Sequence, residues 1–240
     1  MGKFRQKYNK FIVEGQKSCL EFLRSGKFLV HTVLAYGDWL DKHQNWVTKT
    51  QKTFVIDHNQ MAAVTQLKTP SPVLLVCEIP DCPEPKILQN KAKLVYLDDV
   101  QDPGNVGTII RVCDWFGIDG VIRSEKSADF YNPKVVQSSM GSLCNVLMST
   151  LHPDQLLSEF PSHTKIAAIA EGTPVDQIKF PEKHIIIIGN EGKGINEILL
   201  SQSTIKAGIP GSTHRIADSL NAAISAAILC NYSYSCSTNL

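Results

Sequence analysis

Two hydrophobic patterns divide this chain near residue 90. Before it, apolar residues come in short stretches broken by polar ones; after it, they gather into blocks such as KLVYLDD (93–99), DGVIRS (119–124), KIAAIA (165–170) and HIIIIG (184–189). Blocks of that kind predict strands buried on both faces, as in a parallel sheet covered by helices. Helical spacing between and beyond them predicts helices over 107–116, 133–138, 153–160, 195–201 and 219–232. The earlier part predicts helices over 14–23 and 59–67 and strands over 28–34, 53–56 and 73–79, a small α/β domain. The stretch IPDCPEPK (79–86) holds three prolines in six residues, which neither a helix nor a central strand accepts, so it reads as a linker. The boundaries expected from this are 1–85 and 91–240.

Composition adds little to the class and something to the partner. The chain has 240 residues, 43% hydrophobic and 20% charged, the balance of a folded globular protein. Its seven cysteines are odd in number and never spaced C-x-x-C. That argues against a disulfide framework or zinc ribbon and for a reducing, cytoplasmic setting. No apolar run approaches the roughly 18 residues a membrane span needs, and the basic start reaches no signal-peptide core. The net charge of +1 hides an imbalance: residues 1–93 carry 14 Lys and Arg against 8 Asp and Glu, and the remainder 10 against 15. A basic N-terminal part fits a polyanionic partner, and equally a merely solvated basic face.

Candidate chemistry sits in three loops that follow apolar blocks, where open parallel sheets collect ligands. In DPGNVGTIIRVCDWFGIDGVI (102–122), turn chemistry leads to Asn105 near a helix start, and Gly107 leaves room for a close backbone approach. Arg111 is a lone cation among apolar residues of that helix, needing an anion, an open cleft, or an ion pair with Asp114 or Asp102. In IIIIGNEGKGI (185–195), Gly189, Gly192 and Gly194 flank Glu191, but neither a G-K-[ST] ending nor G-x-G-x-x-G is present, so a phosphate loop fails. In IPGSTHRIADSLNAAISAAI (209–228), Ser219 or Asp218 can cap the last helix, and taken singly Ser219 and Asn221 both read as ordinary capping residues. Ala222, Ala223, Ala226 and Ala227 leave the helix surface open to close packing.

Each loop alone is weak; together, in this order, they resemble the three motifs of the SpoU-type (TrmH-like) RNA ribose methyltransferases of the SPOUT superfamily. The earlier segment FIVEGQKSCLEFLRSGKFLVHTVLA, with PVLLVCEIP, resembles the small ribosomal-protein-like α/β domain that often precedes the catalytic one. The resemblance implies a parallel-sheet α/β trefoil-knot domain and a homodimer. It implies methyl transfer from S-adenosylmethionine to a ribose 2′-hydroxyl of structured ribosomal or transfer RNA, with no metal, no membrane and no DNA. It carries over Asn105, Arg111, Glu191, Ser219 and Asn221 as site residues, and places the cofactor against Gly189, Ile209 and Leu220.

Two departures stand out. Gly104 occupies a position where relatives have a larger polar residue, and the third motif is about two residues longer, around 213–217, which brings in Arg215. A non-catalytic RNA-binding relative is the alternative from another class. A doubly wound nucleotide-binding enzyme ranks below both, since its phosphate signatures are missing.

Overall fold

The computed structural model describes residues 2–48, 50–81 and 85–238; Cys82 and the middle of the proline-rich stretch lie outside the described residues. The first part runs α1 (Gly2–Tyr8), β1 (Lys10–Glu14), α2 (Gln16–Ser25), β2 (Val30–Ala35), α3 (Gly37–Val47), β3 (Lys52–Val55), α4 (His58–Val64) and β4 (Val73–Glu78). Its sheet has the order β1-β4-β2-β3, with β4 antiparallel to both neighbours and β2 parallel to β3. The helix expected from residue 14 starts at Gln16, because Glu14 ends β1 and its carboxylate accepts from Thr65 Oγ1 at 2.8 Å and Gln66 N at 3.0 Å. The pattern did not predict α1, β1 or α3. The first buries no residue and shows no hydrophobic period; α3 does carry apolar residues at helical spacing, Trp39, Leu40, Trp46 and Val47, though only Trp39 is fully buried.

The second part runs α5 (Pro85–Gln89), β5 (Lys93–Leu97), α6 (Pro103–Trp115), β6 (Gly120–Arg123), α7 (Pro133–Ser139), β7 (Leu147–Thr150), α8 (Pro153–Glu159), β8 (Thr164–Pro174), β9 (His184–Ile188), α9 (Glu197–Gln202), β10 (Ile205–Gly208) and α10 (Ala222–Thr238). All five pairings in the order β10-β8-β9-β5-β6-β7 are parallel. The apolar blocks therefore became parallel strands, and every residue of β9 is buried. Three helices open the same way: Asp102, Asn132 and His152 cap α6, α7 and α8, each followed by proline at the first helical position. Proline's fixed φ suits that place, where its missing N–H is no loss.

After β7 the chain returns past β5 to lay down β8, β9 and β10 on the other side. That crossover puts β9 beside β5, so two loops 86 residues apart meet at the carboxyl ends of neighbouring strands. The two sheets are joined by more than a linker. One apolar cluster runs from Phe11, Phe22 and Trp39 through to Val95, Ile109 and Leu229. The Phe11 and Tyr131 rings lie 4.8 Å apart, and Arg5 pairs with Asp129 at 2.7 Å. Cys19, Cys77, Cys113, Cys144 and Cys230 are free and buried, so they behave as small core residues.

Candidate functional site

The end of β5 supplies two neighbouring aspartates that anchor the glycine-rich loop. Asp98 is buried and accepts from Asn196 N at 2.6 Å, and its burial raises the carboxyl above its usual range. Asn190 Nδ2 donates to the Asp99 carbonyl at 2.8 Å, while Asn190 Oδ1 accepts from Gly192 N and Lys193 N, each at 2.9 Å. A bridge between Asn190 and Gly194 closes the loop. A Cβ on Gly189 would stand 2.6 Å from the Gly194 carbonyl, and Gly194 itself has φ +73°. Gly189 and Gly194 thus let the loop close tightly on itself, and both also border a cavity. Gly107 matches its expectation, since a Cβ there would meet the Val135 carbonyl of α7 at 2.5 Å.

Asn105 lies in the first turn of α6, and its N–H donates to the capping Asp102 carboxylate at 2.9 Å. That bond, with the nearby Lys134 ammonium, holds the Asp102 carboxyl below its usual range despite slight burial. From this fixed position Asn105 Nδ2 donates to Glu191 Oε1 at 2.6 Å, and its Oδ1 accepts from Asn221 Nδ2 at 3.0 Å. Asn221 Oδ1 then accepts from Ala223 N at 2.9 Å, capping α10. One residue from each of the three motifs thus enters a single chain, Asn221 to Asn105 to Glu191, with both ends of the Asn105 amide used. Of the three residues expected as caps, Asp218, Ser219 and Asn221, it is Asn221 that caps the helix. The last helix starts at Ala222, three residues later than its apolar pattern suggested.

A cavity of ≈ 490 Å³ opens beside this chain, between the end of β8 and the loops after β9 and β10. Gly189, Ile209 and Leu220, the three residues expected at the cofactor, all line it, as do Glu191 and Ser219. Ala168, Ile188, Ile195 and Ala207 form an apolar floor, with Glu191, Arg215 and Asp218 as charged groups on the wall. The volume lies within the range typical of small-molecule sites, roughly 300–1,000 Å³. An apolar floor suits an adenine ring, carboxylates suit a sulfonium or ammonium, and a guanidinium suits a carboxylate. The donor set therefore fits S-adenosylmethionine.

Arg111 stands apart. Six residues beyond Asn105, it is roughly 9 Å further along the helix and turned well away. It is exposed, and among the described residues it makes no hydrogen bond or ion pair. Both acids considered for a structural pair are engaged elsewhere. Asp114 accepts from Ser142 Oγ at 2.7 Å and Asn145 Nδ2 at 2.6 Å, and Asp102 holds Lys134 at 3.4 Å. The five residues therefore do not all meet: three are bonded together, Ser219 lines the cavity with Glu191, and Arg111 faces solvent. Asp98 and Asn190 belong to the site although nothing in their local sequence pattern assigns them a specific role. Polar residues directly after a fully apolar strand were the available signal for both.

Residues 92–231 match the model of the SpoU rRNA Methylase family, and residues 1–75 match that of the MRM3-like substrate binding domain. The 23S rRNA (guanosine(2553)-2′-O)-methyltransferase RlmP of Bacillus subtilis is 30% identical over 234 residues, covering 95% of this chain and 89% of its own. A solved structure of the TrmH family from Porphyromonas gingivalis superposes with a TM-score of 0.86 at 32% identity, covering 97% of this chain and 92% of that one. The AdoMet-bound rRNA methyltransferase of Sinorhizobium meliloti shares the fold, with a TM-score of 0.88 at 24% identity over 98% of this chain and 90% of that one. With one residue from each of its three motifs bonded into one chain beside a cavity, this protein belongs to the SpoU rRNA methylase family.

Proposed function

We propose that this chain is an RNA 2′-O-methyltransferase that uses S-adenosylmethionine, with ribosomal RNA favoured over transfer RNA. The Asn221–Asn105–Glu191 chain at the edge of the cavity carries this reading. A purely structural role would not need three loops to bring their polar ends together beside an apolar pocket. The similarity to the Bacillus subtilis enzyme over 95% of the chain favours ribosomal RNA.

The cofactor would be held by the backbone around Gly189, Ile209 and Leu220, and when bound it supplies an electrophilic methyl group. Glu191, Asn105 and Asn221 form a fixed polar wall, and Ser219 positions cofactor or target. Arg111, exposed and without a partner among the described residues, clamps an RNA phosphate so that the 2′-hydroxyl faces the methyl group. A guanidinium is too weak an acid to lose its proton at neutral pH and so cannot act alone as the base. Orientation of this kind lowers barriers by roughly 7–11 kcal/mol in the best model reactions.

In the same reading, residues 1–85 form the RNA-binding domain and 91–240 the catalytic one, with the last strands and α10 forming a trefoil knot. Two copies pair through α6 and α10, where Trp115 is 82% exposed and Ile224 51%. The setting is the cytoplasm, in keeping with a bacterial ribosomal-RNA relative and with described helices too short or polar to cross a membrane. Calorimetry separates this enzyme from a non-catalytic RNA-binding relative. The intact chain is expected to bind S-adenosylmethionine. Gly189→Ala should weaken that binding roughly 5- to 150-fold by forcing the loop apart, the cost of overpacking by one methyl. A folded protein that takes up no cofactor would favour the relative.

A further inference from the structure

We propose that the exposed face of α1 is a stacking platform for single-stranded RNA. The proposal rests on the RNA-substrate reading and names a surface through which the substrate would be held. The helix buries none of its residues. Phe4 and Tyr8, one turn apart, are 65% and 57% exposed. Their rings are parallel, with an interplanar angle of 1° and centroids 6.3 Å apart. The Lys7 ammonium lies 5.2 Å from the Tyr8 ring centre, and Lys3 and Lys10 flank the pair. No acidic residue occurs before Glu14.

Two large rings left in water at one site favour a covering partner. Its chemistry follows from what surrounds them. A flat, unsaturated, anionic ligand places bases on the ring faces and phosphates against the lysines, the mode by which single strands are held without sequence preference. An acidic or apolar protein surface would use either the charge or the rings, but not the parallel arrangement of the rings.

The platform is fixed in place. Arg5, on the same helix, donates from Nε and Nη2 to Asp129 Oδ2 at 3.1 and 2.7 Å, and its side chain is only 14% exposed. Arg5 is thereby neutralised, which leaves Lys3, Lys7 and Lys10 as the free cations. Asp129 lies in the loop between β6 and α7. Further along, Lys134 of α7 pairs with Asp102, the cap of the helix that carries Asn105. The aromatic face is therefore tied to loops at the carboxyl ends of the catalytic strands, the end at which the polar chain forms. RNA lying across α1 would approach the site from the N-terminal domain.

The test uses the full chain and a fluorescein-labelled single-stranded oligoribonucleotide, read by anisotropy, beside methyl transfer to ribosomal RNA. Base–aromatic stacking corresponds to roughly 5- to 150-fold in affinity per base. Phe4→Ala with Tyr8→Ala is expected to weaken oligonucleotide binding at least about tenfold, and to raise KM for ribosomal RNA more than it lowers kcat. Phe4→Leu with Tyr8→Leu, which keeps apolar bulk, should be nearly as weak. Lys3→Gln with Lys7→Gln should flatten the salt dependence of binding by about 1.4 log units per decade, the counterion release of two single-strand phosphates. Unchanged affinity in the alanine pair, with the unaltered chain still binding RNA, would overturn the platform and leave the methyltransferase reading standing. A change in sedimentation without a change in RNA affinity would overturn it as well, assigning the face to protein contact. If the unaltered chain neither binds nor methylates any RNA, the substrate reading fails, and the platform with it. Cofactor affinity should stay constant in every variant and serves as the check on folding.

Discussion

The proposed cofactor side and the proposed RNA side of the candidate site are built in different ways. Around the cavity, polar groups are already paired within one chain: Asn221 to Asn105, Asn105 to Glu191, Asn196 to Asp98, Asn190 to Asp99. Six residues along the same helix from Asn105, Arg111 has no partner among the described residues. Hydrogen bonds already formed cost nothing to organise when a ligand arrives, so the first side is preorganised. The second is an exposed charge whose counterpart, in the proposed reading, comes with the substrate. The cofactor should thus bind without RNA, and the guanidinium should matter once RNA is present.

The sharpest way to break that division is Arg111→Ala. It is expected to cut methyl transfer by at least about 100-fold, the scale on which a positioned charge acts in a transition state. The S-adenosylmethionine dissociation constant should not move. Calorimetry beside a filter assay of labelled RNA measures both, and a parallel loss of cofactor affinity would merge the two sides into one. Gly189→Ala should show the reverse pattern.

A smaller effect concerns the seat of α10, which brings Asn221 to the site. His184, on the central strand β9, donates from Nδ1 to the Pro181 carbonyl at 2.7 Å and accepts at Nε2 from Ser233 of α10 at 2.9 Å. Burial lowers its pKa to about 4, opposed only in part by the bond to the Pro181 carbonyl. In the unfolded chain an imidazole titrates near 6.5, so between the two values the unfolded state binds the extra proton. Stability present at neutral pH is therefore lost as pH falls through this window. Between pH 7 and pH 5 the loss from this group is about 2 kcal/mol. Urea unfolding at the two pH values should show it, and His184→Gln should shrink the difference; an equal pH dependence in the variant would remove His184 from the account.

Much of the catalytic sheet was legible in the sequence. Strands buried on both faces have to be apolar throughout, and the blocks at 93, 119, 165 and 184 have few other uses. Some elements were not legible. β7 is four residues with two of them buried, and α1 has no buried face at all. Within the site, Arg111 could be singled out because a cation among apolar residues needs an explanation. The bond from Asn105 to Glu191 could not, since only the crossover that lays β9 beside β5 brings those residues together. The cap of α10 shows a finer limit. Asp218, Ser219 and Asn221 all carry suitable oxygens within four residues, and local sequence does not rank them.

The most direct test incubates the purified chain with ribosomal RNA and S-adenosylmethionine bearing an isotopically labelled methyl group. The RNA is then digested and the labelled nucleosides identified by mass spectrometry. The expected product is a 2′-O-methylated nucleoside at a defined position, labelled on the ribose. Label found on a base, or absent while calorimetry shows the cofactor bound, would contradict methyl transfer to the ribose hydroxyl.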